Sequence, residues 1–174
     1  PGESLTAGYW DLAGGQKLAN VKRLIARKDF GAEFTVSEAL EALDGRYDFV
    51  ILDTAPGWDS LTINALFYAT EVLTPVSLEV LALQGLAQFH KSLQRVQKYH
   101  DRLRLRYVVP TFLDLRVSKS EEILEQLERY YSELLLPPIR YNVRLSEAPG
   151  HGETIYEYAP RSAGAQDYAR LVQK

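Results

Sequence analysis

The sequence predicts an α/β fold built on a parallel sheet, and two observations predict it. Phe49-Val50-Ile51-Leu52, Val72-Leu73-Thr74-Pro75-Val76 and Tyr107-Val108-Val109 are short, continuous apolar runs. Continuous rather than alternating apolarity marks strands buried on both faces. Segments of helical period lie between these runs, and strands that alternate with helices imply crossover connections and a parallel sheet.

The elements follow in chain order. Ser4-Leu5-Thr6-Ala7 is a weaker strand candidate. Thr35-Val36-Ser37-Glu38 fits a capping box that opens a helix running through Leu43. Over residues 82–100, Leu83, Leu86, Phe89, Leu93 and Val96 recur at steps of three and four. Lys91, Arg95 and Lys98 fall off that stripe, as an amphipathic helix requires. Ser118-Lys119-Ser120-Glu121 reads as a second capping box, opening a helix whose stripe is Ile123, Leu127 and Tyr130. Pro137-Pro138-Ile139-Arg140 starts a short edge strand, and a last helix covers Ala163–Val172. Ligands of such sheets bind beyond the carboxyl ends of the strands, here segments 53–60, 77–85, 110–118 and 140–152.

Composition narrows the function. The 174 residues, 46% apolar and 25% charged, predict one domain over 1–174, long enough to bury roughly two-thirds of its unfolded surface. The net charge of −3 advertises no nucleic acid globally, so any DNA contact needs a local patch. Cysteine is absent, which excludes disulfides, thiol catalysis and cysteine–zinc sites. His90, His100 and His151 lie far apart, without metal-ligand spacing. No apolar run approaches the ~20 residues of a membrane-spanning helix. With no signal peptide visible, the expected location is the cytoplasm. The chain starts at Pro1 and contains no methionine, so the sequence is expected to begin inside a longer chain.

Asp53 ends the first apolar run and is followed by Thr54-Ala55-Pro56-Gly57. A carboxylate there orders magnesium or positions attacking water in a nucleotide hydrolase; equally, it can cap the following turn. The context is an ordered series: Tyr47 to Pro56, then Leu61-Thr62-Ile63-Asn64-Ala65-Leu66, then Pro75 to Leu86, then Asn142-Val143-Arg144-Leu145-Ser146-Glu147-Ala148-Pro149-Gly150-His151-Gly152. This series resembles the ParA/Soj family, within the wider group that includes MinD, and residues 142–152 are its most specific part. Asp11-Leu12-Ala13-Gly14 is similar to a family segment as well.

The resemblance implies a P-loop NTPase-like three-layer sandwich that lacks its N-terminal βαβ portion. It implies ATP and magnesium as cofactors, an ATP-sandwich homodimer, non-specific DNA binding on the nucleoid and a ParB-type partner that stimulates hydrolysis. Asp53 falls on the family's acidic residue at the end of the Walker B strand, which holds magnesium through water, and Pro56 falls in the same switch segment. Asn142 falls on an asparagine that lines the adenine pocket. Arg140 and Tyr141 stand before it where the family has Pro-Arg; Tyr141 either stacks on adenine or is a half-buried core residue. Arg116 and Arg144 fall near positions that contact DNA phosphates, a task suited to the planar guanidinium. The alternatives are solvated surface arginines, or Arg144 paired with Glu147. Lys119 and Arg161 are weaker DNA candidates, and Glu79 faces the nucleotide or dimer interface or is structural.

The family's phosphate-binding loop has no counterpart here. Gly14-Gly15-Gln16-Lys17 comes nearest, and it lacks the spaced second glycine and the Lys-Thr ending. ATP hydrolysis is therefore expected of an intact parent protein, with about 90 residues ahead of Pro1, rather than of these residues alone. A MinD-like membrane-associated ATPase and a pseudo-ATPase that keeps only an interaction surface are the alternative readings.

Overall fold

The computed structural model describes residues 3–6 and 9–11 by their backbone alone, and residues 18–174 in full. Gly14-Gly15-Gln16-Lys17, Ala7 and all but the first residue of Asp11-Leu12-Ala13-Gly14 lie outside the described residues. Two compact units divide the chain, Pro1–Ala69 and Thr70–Lys174.

In the first unit, β1 (Glu3–Thr6) pairs antiparallel with β2 (Tyr9–Asp11). The helices are α1 (Leu18–Ile25), α2 (Thr35–Leu40) and α3 (Ser60–Tyr68), with 3-10 turns at Ala32–Phe34 and Glu41–Leu43. The capping box expected at Thr35 is not formed. The Ala32–Phe34 turn runs straight into α2, so Thr35 is already its first helical residue, and its hydroxyl donates to the Ala32 carbonyl at 3.0 Å. The first-turn donors of α2 find a partner elsewhere: the Val36 N–H donates to Asn64 Oδ1 of α3 at 3.1 Å. Asp59 caps α3, accepting from Leu61 N and Thr62 N at 3.0 and 2.9 Å.

The strand expected at Phe49-Val50-Ile51-Leu52 is absent. Residues 49–55 have no regular structure, and Phe49 and Ile51 are 87% and 85% exposed. A strand exists only through its ladder, and no described strand pairs with this run.

The second unit carries the parallel sheet. β3 (Glu71–Ser77) pairs parallel with β4 (Arg104–Thr111), and α4 (Val80–Gln97) crosses between them. On the far side of β4, residues 134–141 run parallel through two bridges, Val108↔Leu135 and Leu113↔Arg140. Pro137 and Pro138, which have no N–H to donate, separate the bridges, so in place of the edge strand expected from Pro137 there are two isolated bridges, at Leu135 and Arg140. The remaining helices are α5 (Ser118–Tyr131), α6 (Val143–Glu147), α7 (Ile155–Tyr158) and α8 (Ala163–Val172).

Successive strand residues face opposite sides. Val108 packs with Val76, Leu86 of α4, and Ile123 and Leu127 of α5. Val109 packs with Leu136 and Ile139, against which Leu145 of α6 and Leu171 of α8 lie. This unit is therefore three-layered, as the family resemblance implied. Two details differ. Ser118 is the first residue of α5 and its expected capping box is not formed; the one observed joins Thr154 to Glu157 at α7. The α5 stripe continues from Leu127 by four residues to Tyr131, which is partly buried against the core, and leaves Tyr130 76% exposed.

α8 approaches α6 through Gly164, where a Cβ would stand 2.7 Å from Leu145 Cγ. Gly164→Ala gains about 1 kcal/mol of helix propensity but overpacks this contact at a cost of about 2–3 kcal/mol. The expected result is a net loss of about 1–2 kcal/mol, measured by urea unfolding.

Candidate functional site

The carboxyl ends of β3 and β4 open into a cleft of about 670 Å³ lined by Ser77, Leu78, Glu79, Val80, Phe112, Val117, Lys119, Ser120 and Tyr141. Its position follows from the sheet. Where β4 ends, the Leu78 N–H donates to the Thr111 carbonyl at 3.1 Å. The Leu113 N–H donates to the Ile139 carbonyl, and the Tyr141 N–H to the Leu113 carbonyl. Between these fixed points Phe112 takes a left-handed backbone, φ 57°. The turn sends Leu113 into the core and leaves Phe112 59% exposed in the cleft, its ring 6.4 Å from that of Tyr141. Tyr141, 55% exposed, is thus a cleft-lining residue rather than a core residue.

Asn142 follows directly and caps α6, its Oδ1 accepting from Arg144 N at 2.9 Å. That bond occupies the carbonyl and leaves the Nδ2 donor for another acceptor. Arg144 Nη1 donates to Glu147 Oε2 at 2.8 Å, and Tyr158 OH donates to the same oxygen at 3.1 Å. The Arg144 guanidinium is the main cause that holds the Glu147 carboxyl below its ordinary pKa. Gly152, at φ 68°, closes the turn Ala148–His151, and the His151 ring stacks on Tyr158 at 4.9 Å. Arg116 grips Asp114 with two guanidinium donors, Nε at 2.9 Å and Nη2 at 2.8 Å, while its own N–H adds a third bond. The side-chain bonds from Arg116 bring the Asp114 pKa to about 2. Arg116 itself is 82% exposed.

Tyr141, Asn142, Arg144, Arg116, Glu79 and Lys119 all belong to the second unit and lie on segments at the carboxyl side of its sheet. Asp53 and Pro56 belong to the first unit, on its irregular and exposed stretch. The cleft offers the base of a nucleotide a volume in the range of small-molecule sites and two aromatic rings; Asn142 follows Tyr141 in the chain but is not one of the lining residues. The phosphates and magnesium are not provided for in the same way. The described residues offer no glycine-rich cradle, and no group of three or more His, Cys, Asp or Glu among them is placed to hold a metal ion. No step of hydrolysis follows from these residues.

Sequence reasoning missed two features. Phe112 gives no sign of its positive φ in the residue string. The other is Asp167, 1% exposed, to which the Arg140 N–H, Nε and Nη2 all donate at 2.8–3.2 Å, joined by Arg170. That pair had a legible signal, because Asp167 shares the buried stripe of α8 with Gly164 and Leu171 at steps of three and four.

Comparison with known proteins adds the wider context. A family described as AAA domain matches residues 12–105, more than half of the 174. The sporulation initiation inhibitor protein Soj of Bacillus subtilis is 39% identical over 144 residues, 82% of this chain and 57% of that protein. The chromosome-partitioning ATPase Soj of Thermus thermophilus is 39% identical over 146 residues, 83% of this chain and 58% of that protein. The chain thus spans somewhat more than half the length of these relatives. Among solved structures, cobyrinic acid a,c-diamide synthase of Mycobacterium smegmatis with bound ATP analog and magnesium superposes with a TM-score of 0.71. It is 30% identical and covers 87% of this chain and 56% of that one.

Proposed function

We propose that this chain, which belongs to the ParA/Soj family of partitioning ATPases, supplies the base-binding and DNA-facing part of a protein that binds ATP with magnesium and segregates DNA. The cleft beyond β3 and β4 carries the reading, because in an open parallel sheet this is where a nucleotide lies. Tyr141 and Asn142 contact the base there, the first by its ring face and the second through Nδ2. In the full-length protein Asp53 is the carboxylate that would hold magnesium through water, and Pro56 would lie in the same switch segment. The ATP-bound protein pairs with a second copy, and a ParB-type partner stimulates turnover. It works in the cytoplasm on the nucleoid; no helix among the described residues is long and apolar enough to cross a membrane.

Arg116 and Arg144 face the DNA. Each uses only part of its five-donor guanidinium on its neighbouring carboxylate, which fixes the group's orientation and leaves donors for phosphate oxygens. In the full-length protein, Arg144→Glu is expected to weaken DNA binding about tenfold and to lower the salt slope by about one, with MgATP affinity unchanged. Fluorescence anisotropy at several salt concentrations checks it, and unchanged DNA affinity refutes the role. A full-length protein that fails to bind MgATP in calorimetry rejects the reading as a whole.

A further inference from the structure

We infer that Phe112 is a base-stacking platform that is held in place at a cost in backbone strain, and this rests on the reading that the cleft takes a nucleotide base. Three observations carry it. Phe112 is the one non-glycine residue with positive φ among the described residues, at 57°. The left-handed region disfavours a bulky side chain, and such strain persists where the surroundings over-determine it, most often at ligand sites. The surroundings do so here: Leu78 N–H to Thr111 O on one side, and Leu113 N–H to Ile139 O on the other, fix both flanks at 3.1 Å. The strain does not serve core packing through the ring, which is 59% exposed.

What the strain achieves is the placement of that ring. Leu113, the next residue, is 8% exposed in the core. With Leu113 fixed inward, the left-handed turn lets the residue before it project into the cleft, opposite Tyr141. The two ring centroids stand 6.4 Å apart with planes tilted by 43°. At that separation the two rings touch as an aromatic pair; a planar ring stacked at about 3.5 Å from each face needs about 7 Å between parallel faces, so the rings part and turn toward parallel to admit a base. Stacking reads any aromatic base; Asn142 Nδ2, on the residue after Tyr141, supplies a directed hydrogen bond.

A glycine at 112 removes both the strain and the ring. Phe112→Gly in the full-length protein is therefore expected to keep or raise the thermal midpoint while weakening MgATP binding about tenfold, the size of one lost stacking contact. Phe112→Trp retains a ring and is expected to stay within about twofold of wild type in affinity. Calorimetry with MgATP and differential scanning fluorimetry read the two quantities. If wild type binds MgATP and Phe112→Gly binds it equally well, the platform is overturned while the nucleotide reading stands. A Phe112→Gly variant with a clearly lower midpoint also overturns it, because the left-handed turn is then no burden on the fold. If wild type itself does not bind MgATP, the underlying reading fails and the platform falls with it.

Discussion

Replacing Asp167 by alanine is expected to lower the stability of the second unit by about 2–4 kcal/mol, from the loss of several charge-assisted hydrogen bonds and an orphaned main-chain donor, with the two arginines left partly solvated. Its side chain has no exposed surface, while that of Arg140 keeps 34%. The carboxylate accepts from the Arg140 main chain, from two guanidinium nitrogens of Arg140, and from Arg170. It therefore ties α8 to the edge segment by both backbone and side chain. Alanine leaves the Arg140 N–H without its acceptor and two guanidinium groups facing each other. Asp167→Asn retains the volume but turns an amide toward donors, so it is expected to recover less than half of the loss. Urea unfolding of both variants checks the order.

The pH dependence follows from the same contacts. Burial pushes the Asp167 carboxyl up, and the hydrogen bonds and charge of Arg140 outweigh it, so the folded-state pKa lies below the ordinary 3.8. A carboxyl whose folded pKa is depressed contributes its stability above the unfolded value and loses it as pH falls through the folded one. The contribution is thus complete at pH 5 and above and fades below about 3.8. In Asp167→Ala the acid loss of stability is expected to begin at lower pH and to be shallower. An acid limb identical to wild type would sink the assignment.

Much of the second unit was legible because its signals are local and strong. β3, β4, α4 and α8 follow from apolar runs and helical periods that tertiary context only reinforces. Residues 142–152 were legible as a site segment through their family resemblance, whereas the N-cap role of Asn142 emerged only with the short helix it opens. The errors share one cause. The run 49–52 has strand composition, but pairing is a property of the neighbour, and no described strand supplies one. Thr35 and Ser118 have capping-box spacing, yet the turns before them move the helix start by one residue. Phe112 was invisible because φ is set by the backbone bonds of Leu78 and Leu113 to distant residues.

Asn64 shows the same limit from the other side, since its segment was singled out and its task was not. It is 1% exposed and makes three hydrogen bonds, all to backbone: Oδ1 accepts from Val36 N at 3.1 Å, and Nδ2 donates to Ala32 O at 3.0 Å and Ser60 O at 2.8 Å. The side chain of α3 thereby performs the cap that α2 lacks, with the edge-to-face contact of Phe34 and Phe67 at 5.4 Å beside it. Asn64→Ala removes all three bonds and leaves the Val36 donor without its partner. The expected cost is about 2–4 kcal/mol, from lost hydrogen bonds plus the desolvation of orphaned groups. Asn64→Asp is the sharper test. It keeps an acceptor for Val36 N–H but sets a carboxylate against the carbonyls of Ala32 and Ser60, so it is expected to fare no better than alanine. Native-state hydrogen exchange distinguishes this from a general loss of stability: amides of α2 and α3 should lose protection while those of β4 keep theirs. Equal loss in both units would show that Asn64 acts through the whole chain rather than as the tie between these two helices.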